Sequence, residues 1–270
     1  MIKWYIFNYN EEMFMRIVIK VGTSTLTHAT GRINIRRVES LCRTISDLKN
    51  AGDDIILVSS GAIGMGVGKL NLSEKPTDIV VKQAAAATGQ CELMFVYDNE
   101  FSKYNHLIAQ ILITSSDIEN EKNHRNFNNT VNKLLDFGVI PVINENDTIS
   151  TDEIAIGDND TLGAIIAVSV KADLLIILSD IDGLYDKDPH KNPDAKLVSE
   201  VYEITDEIVC MGKGKGSELA TGGMRTKIHA AEIATENGIE MVIANGNDPK
   251  ILYDIVDGKQ VGTRFYGKEK

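Results

Sequence analysis

The sequence predicts an α/β protein, a three-layer α/β/α sandwich around a mainly parallel sheet. Short, nearly continuous apolar runs rich in Val, Ile and Leu recur six times along the 270 residues, as strands buried on both faces do. Between them lie stretches with apolar residues at helical spacing, and that alternation is how parallel strands joined by crossover helices look in a sequence. A chain that is 43% hydrophobic and 25% charged can bury one sizeable core.

The elements follow in order. Residues 16–21 (RIVIKV) are the first strand and end in GTST. Ile35, Val38, Leu41, Ile45 and Leu48 predict a helix over 33–50, stopped by Gly52. Residues 54–58 (DIILV) are the second strand, broken by the glycine-rich loop SSGAIGMGVG, and 79–100 is an alanine-rich helix. Residues 106–114 (HLIAQILIT) are the third strand, 123–137 a helix closed by Gly138, and 139–143 (VIPVI) the fourth strand, running into NENDTIS. A short helix over 160–170 follows GDND, and 173–178 (DLLIIL) is the fifth strand, ending in SDIDGLY. Residues 187–196, with Pro189 and Pro193, form a polar loop, and 200–211 is expected to be helical before the loop MGKGKG. A helix over 224–237 stops at Gly238, and 239–244 (IEMVIA) is the sixth strand.

Composition removes several function classes. The formal net charge of −11 argues against non-specific nucleic-acid binding, which needs a basic surface. Cys42, Cys91 and Cys210 are far apart and form no CxxC, and the five histidines show no HxxxH or HExxH spacing, so neither a disulfide framework nor a histidine metal site is indicated. No run reaches the length of a membrane span. The apolar run 4–7 is too short for a signal-peptide core, so a cytoplasmic protein is expected. Residues 1–14 stand apart as an N-terminal extension, with Met13 or Met15 as an alternative start.

Parallel sheets bind ligands beyond the carboxyl ends of their strands, which directs attention to GTST, SSGAIGMG, NENDTIS with GDND, SDIDG and NGND. Lys20 is an anomaly inside an apolar strand. Desolvating it is costly unless an anion meets it, and Gly22, Thr23 and Ser24 supply donors beside it. The alternative is a lysine snorkelling off an edge strand. In TGGMRTK (221–227), Gly222 and Gly223 precede a helix whose first turn carries Lys227. Free N–H groups, a partial positive charge and a full charge together make a phosphate cradle. An ordinary glycine-rich helix entry with a solvated lysine has the same appearance.

The acidic and amide residues Asn144, Glu145, Asn146, Asp147, Asp158, Asn159 and Asp160 crowd one strand end and one helix start. Asp160 is placed to cap that helix, or to orient lysines. Asp147 and Asn159 suit the ammonium of an amino acid. Loops of this kind also bind Mg²⁺ or Ca²⁺, though the EF-hand spacing is absent. Ser179 and Asp180 offer acceptors to an adenine or ribose, or form an Asx turn. No GxxxxGK[ST] occurs, since Gly68-Lys69 is followed by Leu70, and no GxGxxG lies within 61–68, so a P-loop and a dinucleotide fingerprint are both unsupported.

Taken in order, KVGTST (20–25), SSGAI (59–63), PVINEND (141–147), GDND (157–160), SDIDGLY (179–185) and TGGMRTK (221–227) resemble the successive signatures of the glutamate 5-kinase family of the amino acid kinase superfamily. The resemblance implies ATP-dependent phosphorylation of the γ-carboxylate of L-glutamate, the first step of proline synthesis. It implies that Lys20 and Lys227 flank the moving phosphoryl group while Asp160 holds both lysines. It assigns Ser60, Asp147 and Asn159 to glutamate. Lys20, Gly22, Ser179, Asp180, Thr221, Gly222, Gly223, Met224, Arg225, Thr226 and Lys227 would hold ATP, with Mg²⁺ carried mainly on the phosphates rather than in a protein metal site. Residues 15–270 would be one amino acid kinase domain, about 15–170 the acceptor lobe and 171–270 the nucleotide lobe.

Many bacterial members of that family carry a further C-terminal PUA domain, and a chain ending at Lys270 is expected to be the short form. The resemblance also implies a homo-oligomer, feedback inhibition by proline, and a glutamyl-phosphate reductase acting on the product. Aspartate, acetylglutamate, carbamate and uridylate kinases share the expected fold, but PVINEND and GDND set this chain apart from them. A non-catalytic nucleotide-binding relative would be expected to lack one of Lys20, Lys227 or Asp160, and all three are present.

Overall fold

In the computed structural model, residues 14–28, 32–74, 76–149, 158–189, 191–212 and 223–268 are described. The six apolar runs are strands β1 (Arg16–Val21), β2 (Asp54–Ser59), β3 (Ile108–Ile113), β4 (Ile140–Glu145), β5 (Leu174–Ser179) and β7 (Glu240–Asn245). Two short strands, β6 (Glu200–Val201) and β8 (Thr263–Phe265), complete an eight-stranded sheet in the order β3-β4-β2-β1-β5-β7-β8-β6. Every neighbouring pair is parallel except β7 with β8.

The helices are α1 (Thr23–Leu26), α2 (Ile35–Ala51), α3 (Ala62–Lys69), α4 (Ile79–Ser102), α5 (Ser115–Glu119), α6 (Glu121–Asp136), α7 (Asn159–Ser169), α8 (Asp206–Met211), α9 (Met224–Glu236) and α10 (Ile251–Val256). Alternation along β1 separates two cores. Ile17, Ile19 and Val21 face α2, α3, α4 and α10, whereas Val18 faces α6, α7 and α9. That is the expected three-layer sandwich. Because side chains alternate with period two, Lys20 falls on the Val18 side, under α7 and α9.

Capping explains several boundaries. Gly52 ends α2 in the left-handed conformation, with φ of 119°, which a residue with a side chain adopts at a cost. The side chain of Asp78 accepts from the Val81 N–H at the start of α4.

Two expectations need correction. The segment 200–211 is not one helix, because Glu200 and Val201 pair in register with Arg264 and Phe265 and only Asp206–Met211 is helical. The stretch SSGAIGMGVG is not an open loop, because Ala62–Lys69 is helical. Its glycines act through packing: a Cβ on Gly66 would lie 1.8 Å from the carbonyl oxygen of Ala85, and one on Gly89 would lie 1.8 Å from that of Ala62. Helices α3 and α4 thus touch backbone to backbone, and this contact outweighs the poor helix propensity of glycine. Residues 1–13 of the extension and residues 213–216 of the loop MGKGKG lie outside the described residues.

β1 sends its chain onward to β2 on one side and borders β5 on the other. The sheet changes its winding direction at that point, and the crevice at the carboxyl ends of β1 and β5 is where such sheets receive ligands. Among the described residues no helix is long and apolar enough to cross a membrane.

Candidate active site

Three buried charges meet at the crevice. Lys20 comes from β1, Asp160 from the first turn of α7 and Lys227 from the first turn of α9. Their relative exposures are 7%, 0% and 4%. Lys20 Nζ lies 2.5 Å from Asp160 Oδ1, and Lys227 Nζ lies 3.0 Å from Asp160 Oδ2. The Thr226 hydroxyl is 2.9 Å from the same Oδ2 and 2.7 Å from the Gly223 carbonyl oxygen. Burial alone would push the Asp160 pKa up, but Lys20 and then Lys227 outweigh it and hold the carboxyl below its ordinary value. Within this cluster one carboxylate faces two ammonium groups, in a protein of net charge −11.

Backbone geometry prepares this arrangement. The edge-strand alternative for Lys20 is ruled out, since β1 lies inside the sheet between β2 and β5. Gly163 brings α7 close, because a Cβ there would sit 3.4 Å from Lys20 Cβ. Asp160 does not cap α7. Asp158 does, its Oδ1 accepting from the N–H groups of Asp160 at 2.7 Å and Thr161 at 2.9 Å. The helix starts at Asn159 rather than Asp160, which frees the Asp160 carboxylate for the lysines.

The chain neighbour of Asp160 faces another set of partners. Asn159 Nδ2 donates to Ser60 Oγ at 2.6 Å and to Asn144 Oδ1 at 3.1 Å. Ser60 N–H donates to the Val21 carbonyl oxygen at 3.0 Å, which ties the loop after β2 to the end of β1. Asp147, half-buried two residues beyond β4, has its pKa raised to about 6 by burial and then by the charge of Glu145. The described structure therefore brings Ser60 and Asn159 into direct contact and leaves Asp147 at the mouth of the next loop.

On the other side, Ser179 ends β5 and donates to Asp180 Oδ1 at 3.2 Å, while its carbonyl oxygen accepts from Gly246 N–H at 2.7 Å. Asp180 is exposed and Ser179 buried. At Gly22 an added Cβ would lie 3.6 Å from Lys20 Nζ, so the turn passes directly beside the ammonium. Gly223 is the N-cap of α9 and provides no side-chain cap, and its carbonyl oxygen accepts from the Thr226 N–H at 3.1 Å. Met224 and Thr226 are half-buried and Arg225 exposed. Thr221 and Gly222, also expected at the nucleotide, lie outside the described residues. Asp182, which accepts from Asn245 Nδ2 at 2.7 Å and from the Tyr185 hydroxyl at 3.0 Å, links the ends of β5 and β7. Its position in SDIDGLY was the available signal.

Sequence reasoning missed Gln90. It is buried on α4, and its Oε1 accepts from Asn144 Nδ2 at 2.9 Å. Its signal was a polar residue at helical spacing with Leu93, Tyr97 and Phe101, all three buried. Among the described residues no group of three or more His, Cys, Asp or Glu is arranged to hold a metal ion.

Comparisons with known proteins give the family and the fold. Residues 15–245 match the amino acid kinase family. A protein of Clostridium perfringens (strain 13 / Type A) named glutamate 5-kinase is 55% identical over 258 residues, covering 94% of this chain and 96% of the relative. One of the same name from Clostridium acetobutylicum is 53% identical over 255 residues, again covering 94% and 96%. Among solved structures, carbamate kinase from Giardia lamblia bound to AMP-PNP superposes with a TM-score of 0.66 at 19% identity, over 95% of this chain and 99% of that one, a likeness of fold. The chain belongs to the amino acid kinase family and, within it, to the glutamate 5-kinases.

Proposed function

We propose that the protein transfers the γ-phosphoryl group of ATP to the γ-carboxylate of L-glutamate, giving L-glutamyl 5-phosphate and ADP. The observation that carries this reading is Asp160, shared by Lys20 and Lys227 at 2.5 and 3.0 Å. A carboxylate at neutral pH is already a nucleophile, so no base has to remove a proton. The task reduces to aligning two anions and offsetting the charge on the transferring group, which two preorganised ammonium groups in a dry crevice do well.

Lys20 and Lys227 flank the path of the phosphoryl group, and Asp160 keeps both in place without neutralising both. One γ-carboxylate oxygen forms a bond to phosphorus as the bond from phosphorus to the β,γ-bridging oxygen breaks, and ADP leaves with that electron pair. Ser60, Asn159 and Asp147 bind the amino acid. Gly22, Ser179, Asp180 and 221–227 bind ATP. The half of the sheet carrying β1–β4, about 15–170, is then the acceptor lobe, and 171–270 the nucleotide lobe. Asp160 is committed to two lysines and the described residues offer no carboxylate cage, so the donor set fits Mg²⁺ bound through the ATP phosphates, where it would screen their charge.

The family supports extending this reading to a cytoplasmic homo-oligomer, to inhibition by proline at the acceptor site, and to transfer of the short-lived acyl phosphate to a glutamyl-phosphate reductase. ADP release, followed with ATP, Mg²⁺ and one of L-glutamate, L-aspartate or N-acetyl-L-glutamate, tests the acceptor. L-glutamate alone is expected to raise the rate above that of ATP by itself. A preference for either other acid would overturn the assignment.

A further inference from the structure

Ser60, Asn159, Asn144 and Gln90 form one chain of hydrogen bonds running from the crevice into the core. Its direction is fixed at one point. Asn144 Oδ1 lies 2.9 Å from the backbone N–H of Glu145, which is only ever a donor. The amide of Asn144 must therefore turn its oxygen that way and its Nδ2 toward Gln90, whose Oε1 accepts at 2.9 Å. The same oxygen accepts from Asn159 Nδ2 at 3.1 Å, so Asn159 has to present its NH₂ group inward, and its second proton goes to Ser60 Oγ at 2.6 Å. Among the described residues, two polar features are left for a ligand. Ser60 retains a hydroxyl proton, and Asn159 retains its amide oxygen.

We infer that Gln90 is a positioning residue for the acceptor: the Glu145 N–H sets the direction of the amides, and Gln90, by accepting from Asn144 Nδ2, holds the Asn144 side chain where Asn159 and Ser60 meet it, so that Ser60 donates a hydrogen bond to the ligand and Asn159 accepts one. A donor beside an acceptor suits the paired carboxylate and ammonium of a free amino acid. An acceptor lacking the ammonium would find the Asn159 oxygen unmatched. Gln90 lies on the buried stripe of α4 with Leu93, Tyr97 and Phe101, and its Nε2 has no partner among the described residues. Of its two polar atoms, the oxygen is the one engaged. The backbone contact of α3 with α4 through Gly66 and Gly89 holds that oxygen in register with β4. Tyr97, two turns further along α4, bonds Ser59 Oγ at 2.8 Å and secures the residue before Ser60 in the same way.

This inference rests on the proposed acceptor site, and the experiment separates the two. Steady-state rates are measured for wild type, Gln90→Met and Gln90→Glu, varying L-glutamate at saturating ATP and then ATP at saturating L-glutamate, with thermal unfolding of each protein. Gln90→Met keeps the shape and removes the accepting oxygen, so the KM for L-glutamate is expected to rise about tenfold, the scale of one well-placed hydrogen bond. The KM for ATP and kcat are expected to stay within about twofold. Gln90→Glu restores an accepting oxygen and is expected to bring the KM for L-glutamate back to within about threefold of wild type. Wild type without turnover on L-glutamate contradicts the proposed function. An active wild type with an unchanged L-glutamate KM in Gln90→Met contradicts the positioning role alone, as does a parallel loss of kcat and both KM values. Gln90→Leu is the second apolar variant. If neither apolar variant folds while Gln90→Glu does, Gln90 is a structural residue and the inference fails.

Discussion

The ammonium of Lys20 lies 2.5 Å from Asp160 Oδ1, while the other carboxylate oxygen of Asp160 lies 3.0 Å from Lys227. One buried anion therefore joins a central strand to the first turns of two helices. Within this cluster one carboxylate faces two ammonium groups where a phosphoryl group would pass. The catalytic reading and the stability of this part of the fold both depend on that relationship.

Removing a lysine should disable turnover. Lys227→Met is expected to lower kcat by about 10²-fold or more, the scale of losing one preorganised charge donor. Steady-state rates with ATP and L-glutamate check this, and near-normal turnover would contradict the two-lysine arrangement.

Removing the anion should cost stability as well. Asp160→Ala leaves Lys20 and Lys227 buried without their shared counter-charge, a change worth about 3–5 kcal/mol when a buried pair is broken. Urea unfolding monitored by circular dichroism measures it. The Asp160 pKa is lowered in the folded state, so its contribution is present above the ordinary carboxylate range and is lost as pH falls through the lowered value. Stability should therefore show no Asp160 titration between about pH 5 and 8. A loss below about 1 kcal/mol in Asp160→Ala, the scale of an exposed pair, would argue against the shared-anion account.

Asp147 titrates in a different window. Its pKa is raised to about 6 by burial and by Glu145, so the folded protein takes up a proton there as pH falls toward 6. The substrate ammonium favours the ionised form, so acceptor binding should release a proton and weaken below about pH 6, well above the ordinary carboxylate range. The KM for L-glutamate is expected to rise as pH drops from 7 to 5, and Asp147→Asn to have a raised but pH-flat KM over that range. A wild-type KM that does not change would remove Asp147 from the ammonium site.

The glycine contact between α3 and α4 can be tested by a single methyl group. In Gly66→Ala the new Cβ would start 1.8 Å from a backbone oxygen, which no side-chain movement relieves. A stability loss of at least about 1–3 kcal/mol, the scale of core overpacking, is expected in urea titration, with a weaker hold on L-glutamate because Ser60 and Gln90 shift together. Wild-type stability would show that the two helices separate at no cost.

Five of the six long strands were legible because each is a run of mostly buried apolar residues, and β3, an edge strand with only Ile113 buried, because it too is rich in Ile and Leu; that pattern is local. β6 and β8 were not, since two and three residues are too few to show a period. α3 was hidden by Gly64, Gly66 and Gly68, whose low propensity is outweighed only by a partner helix some twenty residues away in the chain. Lys20 was legible as a charge in a place that penalises charge, and Asp160 as an acidic residue at a helix start. The capping role was misplaced because the helix begins at Asn159, one residue early, and Asp158 takes the cap. The Gln90–Asn144 pair is separated by 54 positions, and no local pattern reports such a bond.

The central claim is that an acyl phosphate forms on L-glutamate between Lys20 and Lys227. Incubation with ATP, Mg²⁺, L-glutamate and hydroxylamine tests it most directly, because hydroxylamine converts an acyl phosphate to a coloured hydroxamate. Wild type is expected to give γ-glutamyl hydroxamate, with no product from L-aspartate or N-acetyl-L-glutamate and little from Lys227→Met. Failure of wild type to form hydroxamate from L-glutamate, or undiminished formation by Lys227→Met, would contradict the account.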